Sequence, residues 1–145
     1  MNDLTQRPPR SPRVRLGGFA TFPRILDKCR AVIAGKVGEY KFNCPLDQRF
    51  FSFVQVDAEA FKKVVQSGKG DGEMLEWVQQ NGKRKVDDHE IAAWSEHQGQ
   101  RVPSDLESRE YFHGVHKNAG SNREDIVTWF DLLDLDDYVS FGGKA

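Results

Sequence analysis

The chain has 145 residues, of which 38% are hydrophobic and 30% are charged, and its formal net charge is −1 at pH 7. A chain of this length fits one domain that buries roughly 68–70% of its unfolded surface, so it needs no disulfide to supply a core. Because no apolar run approaches the ~20 residues of a membrane span and residues 1–10 hold no apolar signal core, we expect a cytoplasmic protein without a membrane partner.

The first segment is predicted to be an extended basic arm over residues 1–18, followed by a single helical domain over residues 19–145. Its stretch TQRPPRSPRVR combines three prolines with four arginines and holds no acid, which favours a polyproline-like conformation. Such an arm can enter a nucleic-acid groove or a partner's aromatic slot, or it can dock on its own domain. We favour self-docking, since residues 104–145 carry nine acids against four bases. Gly17 and Gly18 then allow a turn.

The first helix is predicted over residues 23–34, where the apolar side chains occupy one third of the helical wheel. Cys29 lies on this apolar face, and neither it nor Cys44 has a CxxC partner, which indicates core packing and a reducing compartment. The opposite face places Arg24 and Lys28 one turn apart. This pattern is typical of a solvated charge cluster, and an anion site is the alternative.

The densest apolar stretch, GEYKFNCPLDQRFFSF at residues 38–53, contains the central helix. Pro45 suits the first turn of that helix, and the apolar residues after it recur at the spacing of one broad face. Asp47 points from the first turn toward apolar neighbours. Either it satisfies the free N–H groups and the dipole of the helix start, or it is a partly buried carboxylate paired with Arg24, Lys28 or a ligand.

Start signals divide the rest of the chain into further short helices. The glycine-rich loop at residues 67–73 matches neither phosphate-loop pattern, and Asp71 itself occupies the following helix start, so we interpret it as a plain interhelical loop. The sequence therefore predicts an all-α, compact single-domain bundle of about six or seven short helices with an extended N-terminal arm. Helix caps are expected at Asp57, at Asp87 with Glu90, at Ser104 with Glu107, and at Asn122.

Two groups of side chains consist of residue types that can bind a metal. The first is Glu110, His113 and His116, and the second is Asp131, Asp134, Asp136 and Asp137. The first group faces away from the apolar side of its helix, so it lacks the inward focus of a dedicated site. The second group does not match a calcium-binding loop, because the glycine and the bidentate glutamate of such a loop are missing. We interpret it as a solvated helix end, and a magnesium-binding or partner-binding patch is the alternative. No metal and no cofactor are predicted.

Several motifs in one order carry a family likeness: RPPRSPRVRLGG, PRILDKCRA, GEY with CPLDQRF, GKGDGE, EIAAW and TWFDLLDLDDYVSFGGK. In these the chain resembles a small bacterial family known as domain of unknown function 5069, and the likeness covers nearly the whole chain. The resemblance implies a stand-alone, single-domain, largely helical cytoplasmic protein. It implies no reaction, cofactor or catalytic residue.

The leading functional hypothesis is a non-enzymatic interaction or small anionic ligand-binding protein, monomeric or homodimeric, with an unknown protein or a small anion as its partner. The alternative is an enzyme, with or without a metal, that uses Asp47 or the C-terminal Asp cluster, although HExxH, GxSxG and phosphate-loop motifs are all missing. A third hypothesis is weak nucleic-acid binding through the arm and residues 83–85. The near-zero net charge of the chain argues against it. The predicted ligand-binding residues are Arg24, Lys28, Tyr40, Asp47 and Arg49.

Overall fold

The computed structural model describes residues 3–120 and 122–145. These residues form seven α-helices and one small antiparallel sheet, which confirms the predicted all-α class. Across the described residues, none of the helices is both long and apolar enough to cross a membrane. The helices are α1 Phe22–Ile33, α2 Pro45–Val54, α3 Ala58–Gln66, α4 Asp71–Asn81, α5 Asp88–Gln100, α6 Leu106–Gly120 and α7 Trp129–Ser140.

A tight hairpin precedes α1 and was not predicted beyond its turn. Its strands, β1 Arg15–Leu16 and β2 Phe19–Ala20, pair antiparallel and are two residues long each, too short for an alternating pattern. Gly17 and Gly18 have φ of 58° and 85°, and a two-residue turn with positive φ at both positions matches the twist of a hairpin. A Cβ on Gly17 would also lie 2.5 Å from a methyl group of Leu75, which would have to move, so the positive φ is the main reason for glycine there.

The main core lies between the hairpin and helices α1 to α5, and it is largely aromatic. Phe22 and Phe50 are fully buried, and their ring centroids lie 4.7 Å apart. Cys29 is buried in the same core, as predicted, and burial raises the pKa of its thiol to about 12. A second, smaller apolar cluster joins α6 to α7 around Phe112 and Leu135.

The N-terminal arm lies against the helical part of the chain. Leu4, Pro9 and Pro12 are buried, and two arginines fasten the arm at separate points. Arg10 bridges α1 and α4, with Nη2 3.0 Å from Asp27 and Nη1 2.7 Å from Asp71. Arg13 pairs with Asp131 and Asp134 of α7. Self-docking on the acidic C-terminal helix is therefore the interaction that the structure shows.

The last two helices begin later than the sequence predicted. In α6 the cap is Asp105, not Ser104, because the Asp105 carboxylate accepts from the Ser108 amide at 2.7 Å. The predicted cap at Asn122 is wrong, since α7 begins only after Thr128. There Thr128 and Asp131 satisfy each other's amide N–H groups at 3.1 and 2.9 Å, and such a reciprocal capping box fixes a helix start more firmly than a single cap.

The capping box leads to a prediction. Thr128→Ala is expected to lower the free energy of unfolding by about 1 kcal/mol, because it leaves the Asp131 amide without an acceptor. Asn122→Ala should change it by less than about 0.5 kcal/mol, the ordinary range for an exposed side chain. Urea unfolding followed by circular dichroism measures both. A larger loss for Asn122→Ala than for Thr128→Ala would contradict this helix start.

Candidate functional site

The first part of the site is a buried ion pair between α1 and α2. Lys28 is 3% exposed and Asp47 1% exposed, and Lys28 Nζ lies 2.8 Å from Asp47 Oδ1. Lys28 also donates to the Lys41 carbonyl at 3.1 Å, and the Asn43 amide donates to Asp47 Oδ2 at 2.9 Å. Of the two interpretations of Asp47, the paired buried carboxylate is observed. The alternative is wrong as regards the free N–H groups of the α2 start, because the two Asp47 oxygens accept from Lys28 and from the Asn43 amide, whereas Asp47 does lie in the first turn, at the positive end of the α2 dipole.

The second part of the site joins α1 to α7 through Asp137. Arg24 Nη1 lies 2.7 Å from Asp137 Oδ2, and the Tyr40 hydroxyl donates to Asp137 Oδ1 at 2.7 Å. The Arg24 guanidinium also lies over the Tyr40 ring, 5.5 Å from its centroid. Burial, and next the hydrogen bond to Asp137, raise the pKa of Tyr40, so the phenol keeps its proton and remains a donor. The prediction of a solvated helix end is therefore wrong for Asp137, which is 7% exposed.

These two ion pairs lie beside a cavity of about 560 Å³ between the arm, the loop joining α1 to α2, and α7. Arg24, Lys28 and Tyr40 line it, whereas Asp47 contacts Lys28 without being part of the lining. The structure thus brings four of the five predicted site residues together. The cavity is amphipathic, since its charged side chains face apolar walls formed by Leu4, Leu46, Tyr111, Leu133 and Phe141.

Asp136 also lines this cavity, and among the described residues it forms neither a hydrogen bond nor an ion pair. Burial, and next the neighbouring Asp137 carboxylate, raise the pKa of Asp136. The two deep cations, Arg24 and Lys28, are each already paired with another carboxylate. The charged groups in and beside the cavity therefore sum to two positive and three negative charges, and of the three acids Asp47 and Asp137 are buried whereas Asp136 is exposed. At the rim, Glu39 and Lys41 offset each other.

Arg49 does not belong to this cavity. It lines a separate cleft between α2 and α5, where its Nε donates to Gln98 Oε1 at 2.9 Å. The reason is helical geometry, because two residues of separation turn Arg49 about 200° around α2 from Asp47. Residues that are close in sequence on one helix were wrongly assigned to one site.

The other candidate metal ligands are spread over different surroundings. Asp131 and Asp134 pair with Arg13, while Asp137 pairs with Arg24. His113 is exposed as predicted, but His116 is half-buried and not solvent-facing, with its ring centroid 6.4 Å from that of Phe112. In residues 3–120 and 122–145, no group of three or more His, Cys, Asp or Glu side chains is arranged to hold a metal ion.

The basic residues proposed for nucleic-acid binding have intramolecular partners at several positions. Arg10 and Arg13 of the arm form the ion pairs described above. Arg84 pairs with Glu90 at 3.0 Å, and Lys85 donates to two carbonyl groups at the end of α4. A phosphate backbone would have to replace these contacts, which weakens the nucleic-acid alternative.

Comparison with known proteins gives a family match without an activity. The family model described as "Domain of unknown function (DUF5069)" matches residues 6–139. No curated protein matches the chain. The matched region includes all the charged residues that line the cavity and leaves out four of its other lining residues, Leu4, Thr5, Ser140 and Phe141.

Proposed function

We propose a ligand for this chain, which belongs to the domain of unknown function 5069 family. The proposed ligand is a small molecule with an apolar body and a cationic amine head. The observation that carries the proposal is the exposed Asp136 carboxylate, which lines the cavity without an ion-pair partner among the described residues and so is open to a ligand. An amine would supply a positive charge next to it and several hydrogen-bond donors.

The charge balance favours a cation over the anion expected from the sequence. An anion would find Arg24 and Lys28 already bound to Asp137 and Asp47 at 2.7 and 2.8 Å, and would have to compete with those carboxylates. It would also lie near the unpaired Asp136, where like charges repel. A cation at Asp136 would displace neither of these two ion pairs.

The shape and the lining of the cavity favour a ligand of metabolite size. Its volume of about 560 Å³ falls within the roughly 300–1,000 Å³ typical of small-molecule sites. Leucine and aromatic side chains form one wall, and such walls favour burial of an apolar ligand body by about 25 cal/mol per Å² removed from water. The proposal concerns binding and includes no covalent step.

Calorimetric titration of the full chain with hexylammonium, hexanol and hexanoate tests this proposal, since the three probes share one alkyl chain and differ in the head group. We expect hexylammonium to bind about tenfold or more tightly than hexanol, as hydrogen bonds to charged groups contribute about 1.5–3 kcal/mol. Asp136→Asn should remove that advantage and leave the affinity for hexanol unchanged. Tighter binding of hexanoate than of hexylammonium would overturn the proposal.

A matched control and a pH series sharpen the test. Asp88→Asn removes one exposed carboxylate in the first turn of α5 and should leave hexylammonium binding unchanged. Because the pKa of Asp136 is raised, its carboxylate gains a proton at a higher pH than an ordinary aspartate does. Amine affinity is therefore fully present above that pKa and lost as the pH falls through it. An affinity that stays constant down to pH values near the ordinary aspartate pKa of about 3.9 would contradict the role of Asp136.

A further inference from the structure

Arg49 lies in a cleft that the proposed amine site does not use. The cleft has a volume of about 470 Å³ and lies between α2 and α5. Its polar lining consists of Gln48, Arg49, Ser52 and Gln98. Glutamine, arginine and serine side chains all donate hydrogen bonds, and the lining contains no carboxylate. The cleft therefore differs in charge from the cavity beside Asp136.

The Arg49 side chain is held in position by one of its nitrogens. Its Nε donates to Oε1 of Gln98, a residue that is only 2% exposed and fixed on α5. Among the described residues, the two Nη groups of Arg49 form no hydrogen bond and no ion pair. A guanidinium fixed at Nε with its terminal nitrogens open is suited to bidentate recognition of an oxyanion.

A second arginine, Arg101, does not line the cleft but contributes positive charge to the surroundings of Arg49. Arg101 follows α5, one turn after Gln98, and its half-buried side chain has no hydrogen bond or ion pair within residues 3–120 and 122–145. Burial, and next the proximity of the Arg49 charge, lower the pKa of Arg101. Neither the Arg49 nor the Arg101 guanidinium has a carboxylate partner among the described residues.

Stacked side chains form the apolar side of the cleft. The rings of Phe53 and Trp94 lie parallel within 5°, with centroids 4.9 Å apart. The Arg84 guanidinium also lies over the Phe53 ring, 4.9 Å from its centroid. These contacts hold the Phe53 ring in place, so the apolar side of the cleft is a packed aromatic surface.

We propose that this cleft binds a phosphate group, free or as a small monoester, through the Nη groups of Arg49. A phosphate carries more negative charge at pH 7 than a carboxylate does, about −1.5 to −2 as a monoester, so the positive charge of Arg49 attracts it more strongly. Gln48 and Ser52 can donate to its remaining oxygens. This site is independent of the proposed amine cavity, so either can fail without the other.

Nuclear magnetic resonance titration of the full chain at low ionic strength tests the site, with inorganic phosphate, monoethyl phosphate and propionate as probes. We expect both phosphates to shift the Trp94 indole and Arg49 Nε signals, and propionate to bind about tenfold or more weakly. Tighter binding of monoethyl phosphate would identify an ester as the ligand class, tighter binding of inorganic phosphate would identify free phosphate, and equal binding would show that the site recognises the phosphate group alone. Equal affinity for propionate and the phosphates would overturn the proposal.

Three variants separate a built site from general attraction between charges. Arg49→Gln should weaken phosphate binding by about tenfold or more, and Arg101→Gln by a smaller factor. Arg49→Lys keeps the positive charge but loses the planar guanidinium that can donate two parallel hydrogen bonds, so it should also weaken phosphate binding. Arg109→Gln removes an exposed arginine of α6 outside the cleft and should have no effect. An effect of Arg109→Gln equal to that of Arg49→Gln, or full binding by Arg49→Lys, would contradict the site.

Discussion

Lys28→Met is expected to lower the free energy of unfolding by about 3–5 kcal/mol, because it leaves the Asp47 carboxylate buried without its cation. In the native protein that carboxylate is 1% exposed and lies 2.8 Å from Lys28 Nζ. Methionine keeps the apolar stem of the lysine between α1 and α2, so the loss would come from the uncompensated charge and not from a void.

Urea unfolding of three variants measures this effect. Lys63→Met, at an exposed position on α3, is the matched control and should change the free energy of unfolding by less than about 0.5 kcal/mol. The double variant Lys28→Met with Asp47→Asn should recover most of the loss, since removing both charges removes the uncompensated one. A double variant no more stable than Lys28→Met alone would show that the pair is not the source of the effect.

Phe50→Ala should lower the free energy of unfolding by about 3–5 kcal/mol, the range for removal of a fully buried aromatic side chain. The Phe50 ring lies at the centre of the main core, with the centroid of Phe22 at 4.7 Å and that of Phe19 at 5.4 Å. Both neighbours are themselves fully buried, so the surrounding structure has little freedom to collapse into the space.

The same urea measurement applies, with Leu106→Ala as the control because Leu106 is 70% exposed. We expect that control to lose less than about 0.5 kcal/mol. A loss below about 1.5 kcal/mol for Phe50→Ala would mean that the aromatic core tolerates the cavity, and would contradict the packing described above.

Local signals in the sequence predicted much of the helical fold. Asp57 caps α3, and Asp87 with Glu90 starts α5, because each of these caps bonds to an amide only three residues away. Asn122 failed because Thr128 offered a competing start whose reciprocal partner, Asp131, also looked like part of an acidic cluster. Local sequence patterns predict helix starts least well where one residue, such as Asp131, can have two roles.

The candidate site was predictable to a smaller extent. The helical wheel placed Asp47 toward apolar neighbours and named Lys28 as a partner, and that contact spans only 19 residues of chain. The contact of Arg24 with Asp137 spans 113 residues, and no spacing pattern connects positions so far apart. Asp136 could not be distinguished from its acidic neighbours for the same reason, since its lack of a partner follows from tertiary packing.

The most direct measurement is chemical-shift mapping of the isotope-labelled full chain during titration with hexylammonium. We expect the largest shifts in the signals of Leu46, Leu133 and Ser140, which line the cavity beside Asp136. The Trp94 indole signal, in the cleft between α2 and α5, should stay unchanged and serves as an internal control. Shifts centred on Trp94, or spread evenly over the surface, would contradict an amine site at Asp136.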